Sequence, residues 1–290
     1  MKILILGARG NLGGQLVKVF EKDSEVIAWD RSEVDITDKD LITKKILEIK
    51  PDAIINAAAY NAVDKCEESE EEFEKAKKIN GQAAGYLADA AISVGAILIR
   101  YSSDYVFDGE NKNGYKEDDV PDNPVDKYGE SQLAGEKEII SRSGKGLKWY
   151  LIRTSKLFGP KGESEAAKPS FFDIILKLSK EKSELNVVNE EVSCFAYTPD
   201  LAKATKEILA SGKGYGIYHI VNGSPCTWYE AALELFKLAN TNVKVNAVSS
   251  EQFPRLAKRP KFSVLLNTKL EPMRSYKEAL KEYLNLNQEL

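Results

Sequence analysis

The chain has 290 residues, enough for one large α/β domain or for such a domain with a smaller partner. Its 41 Lys and Arg against 45 Asp and Glu leave a formal net charge of -4, which gives no electrostatic reason to expect nucleic acid or an anionic membrane as the main partner. Three scattered cysteines (Cys66, Cys194, Cys226) and a single histidine, His219, exclude a disulfide framework and a multi-histidine zinc site, and they fit a reducing cytoplasm.

The opening MKILILG is too short for a signal peptide or a spanning helix and reads as a buried strand. KILILG (2–7) and EVIAWD (25–30) are strands flanking a helix whose apolar spacing runs through Leu12, Leu16, Val19 and Phe20. A helix at 38–50 leads into the strand DAIINAAA (52–59). A second, at 80–93, leads into GAILIRYSSDYVF (95–107), and a third, opening near Tyr128, into KWYLIRTSKLFG (148–159). In EESEEEFEKAKK (67–78) acids lead and lysines trail, as a helix dipole favours, so it reads as a solvated helix. Apolar runs alternating with helices imply a doubly wound α/β fold, a parallel sheet with right-handed crossovers.

Beyond residue 160, GPKGESEAAKP (159–169) is a loop before a helix at 170–181. ELNVVNEE, YGIYHIV and VKVNAVS are short strands among helices near 199–211 and 228–240, and His219 reads as a structural residue near a strand end. The expectation is a main domain over 1–160 and a smaller one over 161–290, with some elements returning to the main sheet. No internal repeat, coiled coil or long apolar segment is present.

Gly7-Ala8-Arg9-Gly10-Asn11-Leu12-Gly13 follows the first strand and opens the first helix. Glycines there let backbone approach a pyrophosphate, and the helix N-terminus offers free N–H groups to it, so 1–160 is expected to be a dinucleotide-binding Rossmann domain. Asp30 ends the second strand where a carboxylate meets the adenosine ribose, whereas its neighbour Arg31 would suit a 2′-phosphate; NADH and NADPH both stay open. Asp35 and Ile36 are candidates to flank the adenine, and the small residues of NAAAY (56–60) suit close passage of the cofactor.

Ser102, Ser103 and Asp104 lie at the carboxyl end of a strand, and Tyr128 opens a helix downstream. A hydroxyl at Ser103 can hold a substrate carbonyl while Tyr128 gives it a proton and a reduced nicotinamide gives hydride.

With GARGNLGGQL (7–16), DITD (35–38), NAAAYNAVDKCE (56–67), SSDYVFDG (102–109), YGESQLAGE (128–136), RTSKLFG (153–159), YHIVNGSPCTWYE (218–230) and RPKFSVLLNTKL (259–270), nearly the whole chain resembles an extended short-chain dehydrogenase/reductase of the dTDP-4-dehydrorhamnose reductase family. The resemblance implies a cytoplasmic enzyme that reduces the 4-keto group of a nucleotide-linked deoxysugar for surface polysaccharide synthesis, often as a dimer and sometimes with magnesium. No carboxylate cluster in the sequence argues independently for a metal. It places Gly7, Gly10, Asn11, Leu12 and Gly13 on the pyrophosphate, Asp30, Asp35 and Ile36 around the adenosine, and Ala57, Ala58 and Tyr60 along the cofactor. Ser103 takes the position of the family's catalytic threonine or serine, Tyr128 that of the proton donor, and Asp104 and Tyr105 would face the sugar.

The departures concentrate on the substrate side. Gln132 stands where the family has a lysine, and Lys156, expected at the substrate, where rhamnose-forming members place a tryptophan against it. Asn189–Ala196 replaces an Asp-Gln-x-x-x-Pro-Thr segment, and Lys168-Pro169-Ser170-Phe171 a Gly-Asn-Asn-Phe-like one. A glutamine amide can still donate to a cofactor ribose but carries no charge to lower the tyrosine pKa. Lys127 and Lys156 are the cations considered as substitutes, and both are expected to be ordinary solvated lysines. The non-enzymatic rival is a dinucleotide-binding regulatory subunit resembling the β subunit of methionine adenosyltransferase, which shares this fold.

Overall fold

The computed structural model describes residues 1–165 and 167–288. In chain order, β1 (Lys2–Leu6), α1 (Asn11–Phe20), β2 (Glu25–Trp29), α2 (Lys39–Ile49) and β3 (Ala53–Asn56) alternate strictly. The short helices α3 (Lys65–Glu68) and α4 (Glu70–Ala76) lead through a π-turn at Lys77–Gln82 into α5 (Ala83–Val94), followed by β4 (Ile97–Ser103), α6 (Lys127–Ile140) and β5 (Lys148–Thr154). Then come β6 (Lys156–Phe158), α7 (Phe171–Ser179), β7 (Glu184–Val188), β8 (Phe195–Tyr197), α8 (Thr198–Ser211), β9 (Gly216–His219), α9 (Trp228–Leu238), β10 (Lys244–Val248) and α10 (Tyr276–Gln288).

Six parallel strands form the main sheet in the order β2-β1-β3-β4-β5-β9. Residues 3–6 of β1 are buried, as a parallel strand covered on both faces must be. Leu12, Leu16 and Phe20 of α1 join Leu201 and Ile208 of α8 on one face, while Ile42 and Ile46 of α2 join Leu87 and Ala91 of α5 on the other. This is the doubly wound parallel sheet the sequence predicts. The strand order reverses between β1 and β3, and an open α/β sheet takes its ligand in the crevice beyond the carboxyl ends at such a point. Farther along the chain, β7 pairs with β10 and β6 with β8, around an aromatic core that includes Phe158, Phe172, Phe195, Tyr197 and Tyr276.

Three strands end earlier than their apolar runs, each for a local polar reason. Asn56 Oδ1 accepts from Ala58 N (3.1 Å) and turns the chain after β3. Ser103 Oγ accepts from Tyr105 N (3.2 Å) and starts a single 3₁₀ turn after β4. Ser155 leaves β5 to give its hydroxyl to Asp104 Oδ2 (2.8 Å), after which β6 joins a different sheet.

Between β4, β5 and α6 lies a buried ion pair. Glu136 receives Arg153 through both oxygens, Nε to Oε1 at 3.0 Å and Nη2 to Oε2 at 2.8 Å, and also accepts from Ser102 Oγ at 2.6 Å. Both charged side chains are 1% exposed. Removing one partner of such a pair strands the other in low dielectric. Glu136→Gln is therefore expected to lower the unfolding free energy by about 3–5 kcal/mol, measured by urea denaturation.

Candidate active site

The turn from β1 into α1 is built for backbone approach. Gly7 sits at φ 74°, and a Cβ on Gly13 would lie 2.0 Å from Gly7 O. Only a residue without a side chain fits this crossing. No side chain caps α1 at Gly10, so its first N–H groups stay available to an anion, and a dinucleotide pyrophosphate fits that donor set. Leu12 is buried beneath the turn, while the Asn11 amide reaches the loop before α7, donating to Lys168 O (2.9 Å) and accepting from Gly162 N (2.8 Å). The turn between β1 and α1 is thus fastened to Gly162 and Lys168, a contact nothing in the sequence announces.

At the end of β2, Asp30 accepts the backbone N–H of Arg9 (3.2 Å) and of Arg31 (2.7 Å), and Arg9 Nη2 pairs with Glu33 (2.8 Å). Asp35 takes both the N–H and the hydroxyl of Thr37, which hold its carboxyl below the ordinary range, while Ile36 is buried. After β3, Ala57 and Ala58 pass Gly7, and Tyr60 is pinned by the Asn80 side chain on both its N–H (2.8 Å) and its C=O (2.9 Å). The Tyr60 hydroxyl donates to Glu72.

Tyr128 stands in the first turn of α6, against the end of β4. Its ring meets Tyr105 edge-on at 5.6 Å, and Gln132 Nε2 donates to its hydroxyl at 3.3 Å. Burial pushes the phenol up to about 12, with Asp104 and Asp126 adding to the rise, while the Ser103 hydroxyl and the Gln132 amide pull it back. At neutral pH Tyr128 is therefore a protonated donor beside Ser103, the arrangement that proton transfer to a carbonyl needs. Asp104 does not present its carboxylate to a ligand. It is buried and takes hydroxyls from Ser103 (3.1 Å), Ser155 (2.8 Å) and Ser263 (2.6 Å), so it fixes Ser103 from behind.

Neither lysine considered as a substitute cation is free in solvent. Lys127 lies 3.7 Å from Glu70 and over the Phe73 ring. Lys156 Nζ is buried 3.4 Å from the centroid of the Trp228 ring, with no hydrogen-bond partner among the described residues. Burial lowers it to about 8, against the attraction of Asp104 and Glu191. The expectation of a solvated Lys156 fails because β6 turns inward to pair with β8. Around it, Trp228 Nε1 donates to Glu191 (2.9 Å), which also pairs with Arg255, so two departures from the family pattern, at 156 and at 189–196, meet in one place.

Residues 1–288 match the family described as RmlD substrate binding domain. The chain belongs to the dTDP-4-dehydrorhamnose reductase family. A dTDP-4-dehydrorhamnose reductase of Clostridium acetobutylicum ATCC 824 superposes with TM-score 0.91 at 40% identity, covering 99% of this chain and 100% of that one. The reductase of Bacillus anthracis str. Ames, solved in complex with NADP, gives 0.90 at 33%, covering 98% and 99%. Spore coat polysaccharide biosynthesis protein SpsK of Bacillus subtilis (strain 168) is 35% identical over 98% of this chain and 96% of its own. UDP-glucose 4-epimerase of Thermotoga maritima, at 22% identity and TM-score 0.82, shares the fold.

Among residues whose part sequence reasoning missed, Asp126 was the most legible, since an aspartate before a helix is a regular cap. It accepts from Gly129 N (2.7 Å) and so sets the start of α6, one residue before Lys127. It is buried, and desolvation raises it to about 7. A carboxyl raised on folding stabilises fully below its unfolded pKa and loses that contribution as pH rises through the folded one. Asp126→Asn keeps an oxygen for the cap and removes the titration. Its stability relative to wild type should rise between about pH 4 and 7, by up to about 1.4 kcal/mol per pKa unit, as thermal melts across that range would show.

Proposed function

We propose that the protein reduces the 4-keto group of a nucleotide-linked deoxysugar, with NADPH or NADH as reductant, for synthesis of a surface polysaccharide. The observation that carries this is the protonated, half-buried Tyr128 beside Ser103 at the carboxyl end of β4, close to the ligand crevice at the β1/β3 reversal. The NADP complex of the Bacillus anthracis relative supports the cofactor class, and the name of the Bacillus subtilis relative supports the polysaccharide role. In this reading residues 1–160 carry the cofactor and 161–290 mainly the sugar, although β9 lies in the main sheet. Among the described residues no helix is long and apolar enough to cross a membrane, and no group of acids, histidines and cysteines would hold a metal, so no step is assigned to magnesium.

When bound, the reduced nicotinamide supplies hydride to the carbonyl carbon. Ser103 turns its one hydroxyl proton from Asp104, which holds it in the free protein, to the carbonyl oxygen and aligns it. The Tyr128 O–H bond breaks as the product O–H bond forms, and the phenolate is reprotonated from solvent. Gln132, on the same face of α6 one turn on, keeps an amide N–H on the phenol oxygen throughout. The pyrophosphate turn, Asp30, Asp35 and the 56–60 segment orient the cofactor.

Consumption of NADPH or NADH with dTDP-4-keto sugars is the direct test. Tyr128→Phe should lower kcat about 10²- to 10⁴-fold, the usual contribution of a positioned acid, with dinucleotide affinity by titration calorimetry within a few-fold of wild type. Tight dinucleotide binding, no turnover and a stable complex with an unrelated protein would instead support the regulatory-subunit reading.

A further inference from the structure

Arg100 is a charged residue in the middle of β4, and it is 3% exposed. Its Nη2 donates to Gln132 Oε1 at 2.9 Å and to Asn80 O at 2.6 Å. That carbonyl belongs to the π-turn at Lys77–Gln82, and Gly135 leaves room for the contact: a Cβ there would lie 2.5 Å from Arg100 Nη2 and 2.0 Å from Asn80 O. Among the described residues no carboxylate forms an ion pair with Arg100. The nearby Glu136 is paired to Arg153, and Arg100 Nη1 is buried without a partner.

An amide has one accepting and one donating end. With a guanidinium fixed on its oxygen, Gln132 can only turn its NH₂ toward Tyr128, which is where the structure places it. We infer that Arg100 is the cation of this active site: its guanidinium locks the Gln132 amide onto Tyr128 and, through that amide, stabilises the phenolate left when the proton is transferred. Arg100 is thus a positioning residue. The inference rests on Tyr128 as the proton donor and adds the source of the charge that Gln132 lacks. Burial lowers Arg100 only to about 10, so it stays charged at neutral pH.

This assignment also changes what a lysine at position 132 would do. An ammonium there would meet the Arg100 guanidinium in a buried site, two cations with no anion between them. The neutral amide is the side chain that links a guanidinium to a phenol.

The test has two arms. In the first, kcat and KM for keto-sugar reduction are measured at neutral pH for wild type, Arg100→Lys and Arg100→Met. Loss of the charge should lower kcat roughly tenfold, with KM and dinucleotide affinity within a few-fold of wild type, because the amide link acts on the phenolate that forms only as the proton leaves. Arg100→Lys should keep most of kcat. An Arg100→Met enzyme with kcat unchanged, or with KM and dinucleotide affinity altered as much as kcat, would reduce Arg100 to a structural prop and overturn the proposal.

The second arm needs no turnover. Gln132→Lys should lower Tm by about 4 °C or more, and adding Arg100→Met to it should recover more than half of that loss. Additive changes in Tm, or a Gln132→Lys enzyme more active than wild type, would overturn the proposal. If wild type reduces no keto sugar, the function proposed above falls, and the Tm cycle still decides whether Arg100 excludes a second cation.

Discussion

The active site depends on the fork between Glu136 and Arg153. It joins β5 to α6 and, through Ser102 Oγ, to β4, so three elements far apart in sequence are tied at one carboxylate. Tyr128 lies two helical turns before Glu136 on α6, and Ser103 follows Ser102 on β4. The placement of Tyr128 relative to Ser103 is therefore fixed in part by a pair that touches neither. Arg153 also packs its guanidinium 4.9 Å from the Phe107 ring, and His219 N approaches Glu117, whose carbonyl lies 3.4 Å from Arg153 Nη1. An ion pair this deep contributes less net stability than its Coulomb attraction suggests, because both partners are desolvated, but a half-made alternative is strongly disfavoured. That asymmetry favours one placement of α6 over its neighbours.

Within this frame two opposing effects meet at Tyr128. Desolvation and the carboxylates of Asp104 and Asp126 favour the neutral phenol, while hydroxyl and amide donors favour the phenolate. In the reaction proposed for Tyr128 the first effect keeps the phenol protonated and the second eases loss of its proton. Asp126 joins the two, capping the helix that carries Tyr128 while adding negative potential near the phenol. Its neutralisation below about pH 7 weakens the opposition to the phenolate and leaves the cap in place, since a protonated carboxyl still has an accepting oxygen.

The sheet was legible in the sequence because burial on both faces leaves long apolar runs such as KILIL and AIIN, and the pyrophosphate turn because its glycines stand between strand and helix. Strand ends were less legible. Each is set by one side chain, Asn56, Ser103 or Ser155, turning to a neighbour, and in Ser155 the partner lies 51 residues away. Tyr128 and Ser103 could be named from spacing, but their environment could not, since Asp104, Ser155 and Ser263 converge only in three dimensions. Arg100 is itself a signal in the sequence: a charge inside AILIRYSS, an otherwise buried strand, demands a partner. Gln132, set against the lysine it replaces, shows only a lost charge, and that its amide oxygen meets Arg100 of β4 is visible only in three dimensions.

A second buried cation lies where β6 meets α9. Lys156 is a cation whose ammonium lies against the Trp228 face instead of in water, and burial lowers its pKa against the attraction of Asp104 and Glu191. Trp228 is held in turn by Glu191, whose carboxylate also takes Arg255. Cation, ring, carboxylate and cation thus form a chain in which each member fixes the next, drawing on β6, α9, the segment before β8 and the segment around 255. An altered residue at 156 alone would leave a buried ammonium without support. Lys156, Trp228, Glu191 and Arg255 therefore act as one packed unit, because moving one member leaves a buried charge facing the others.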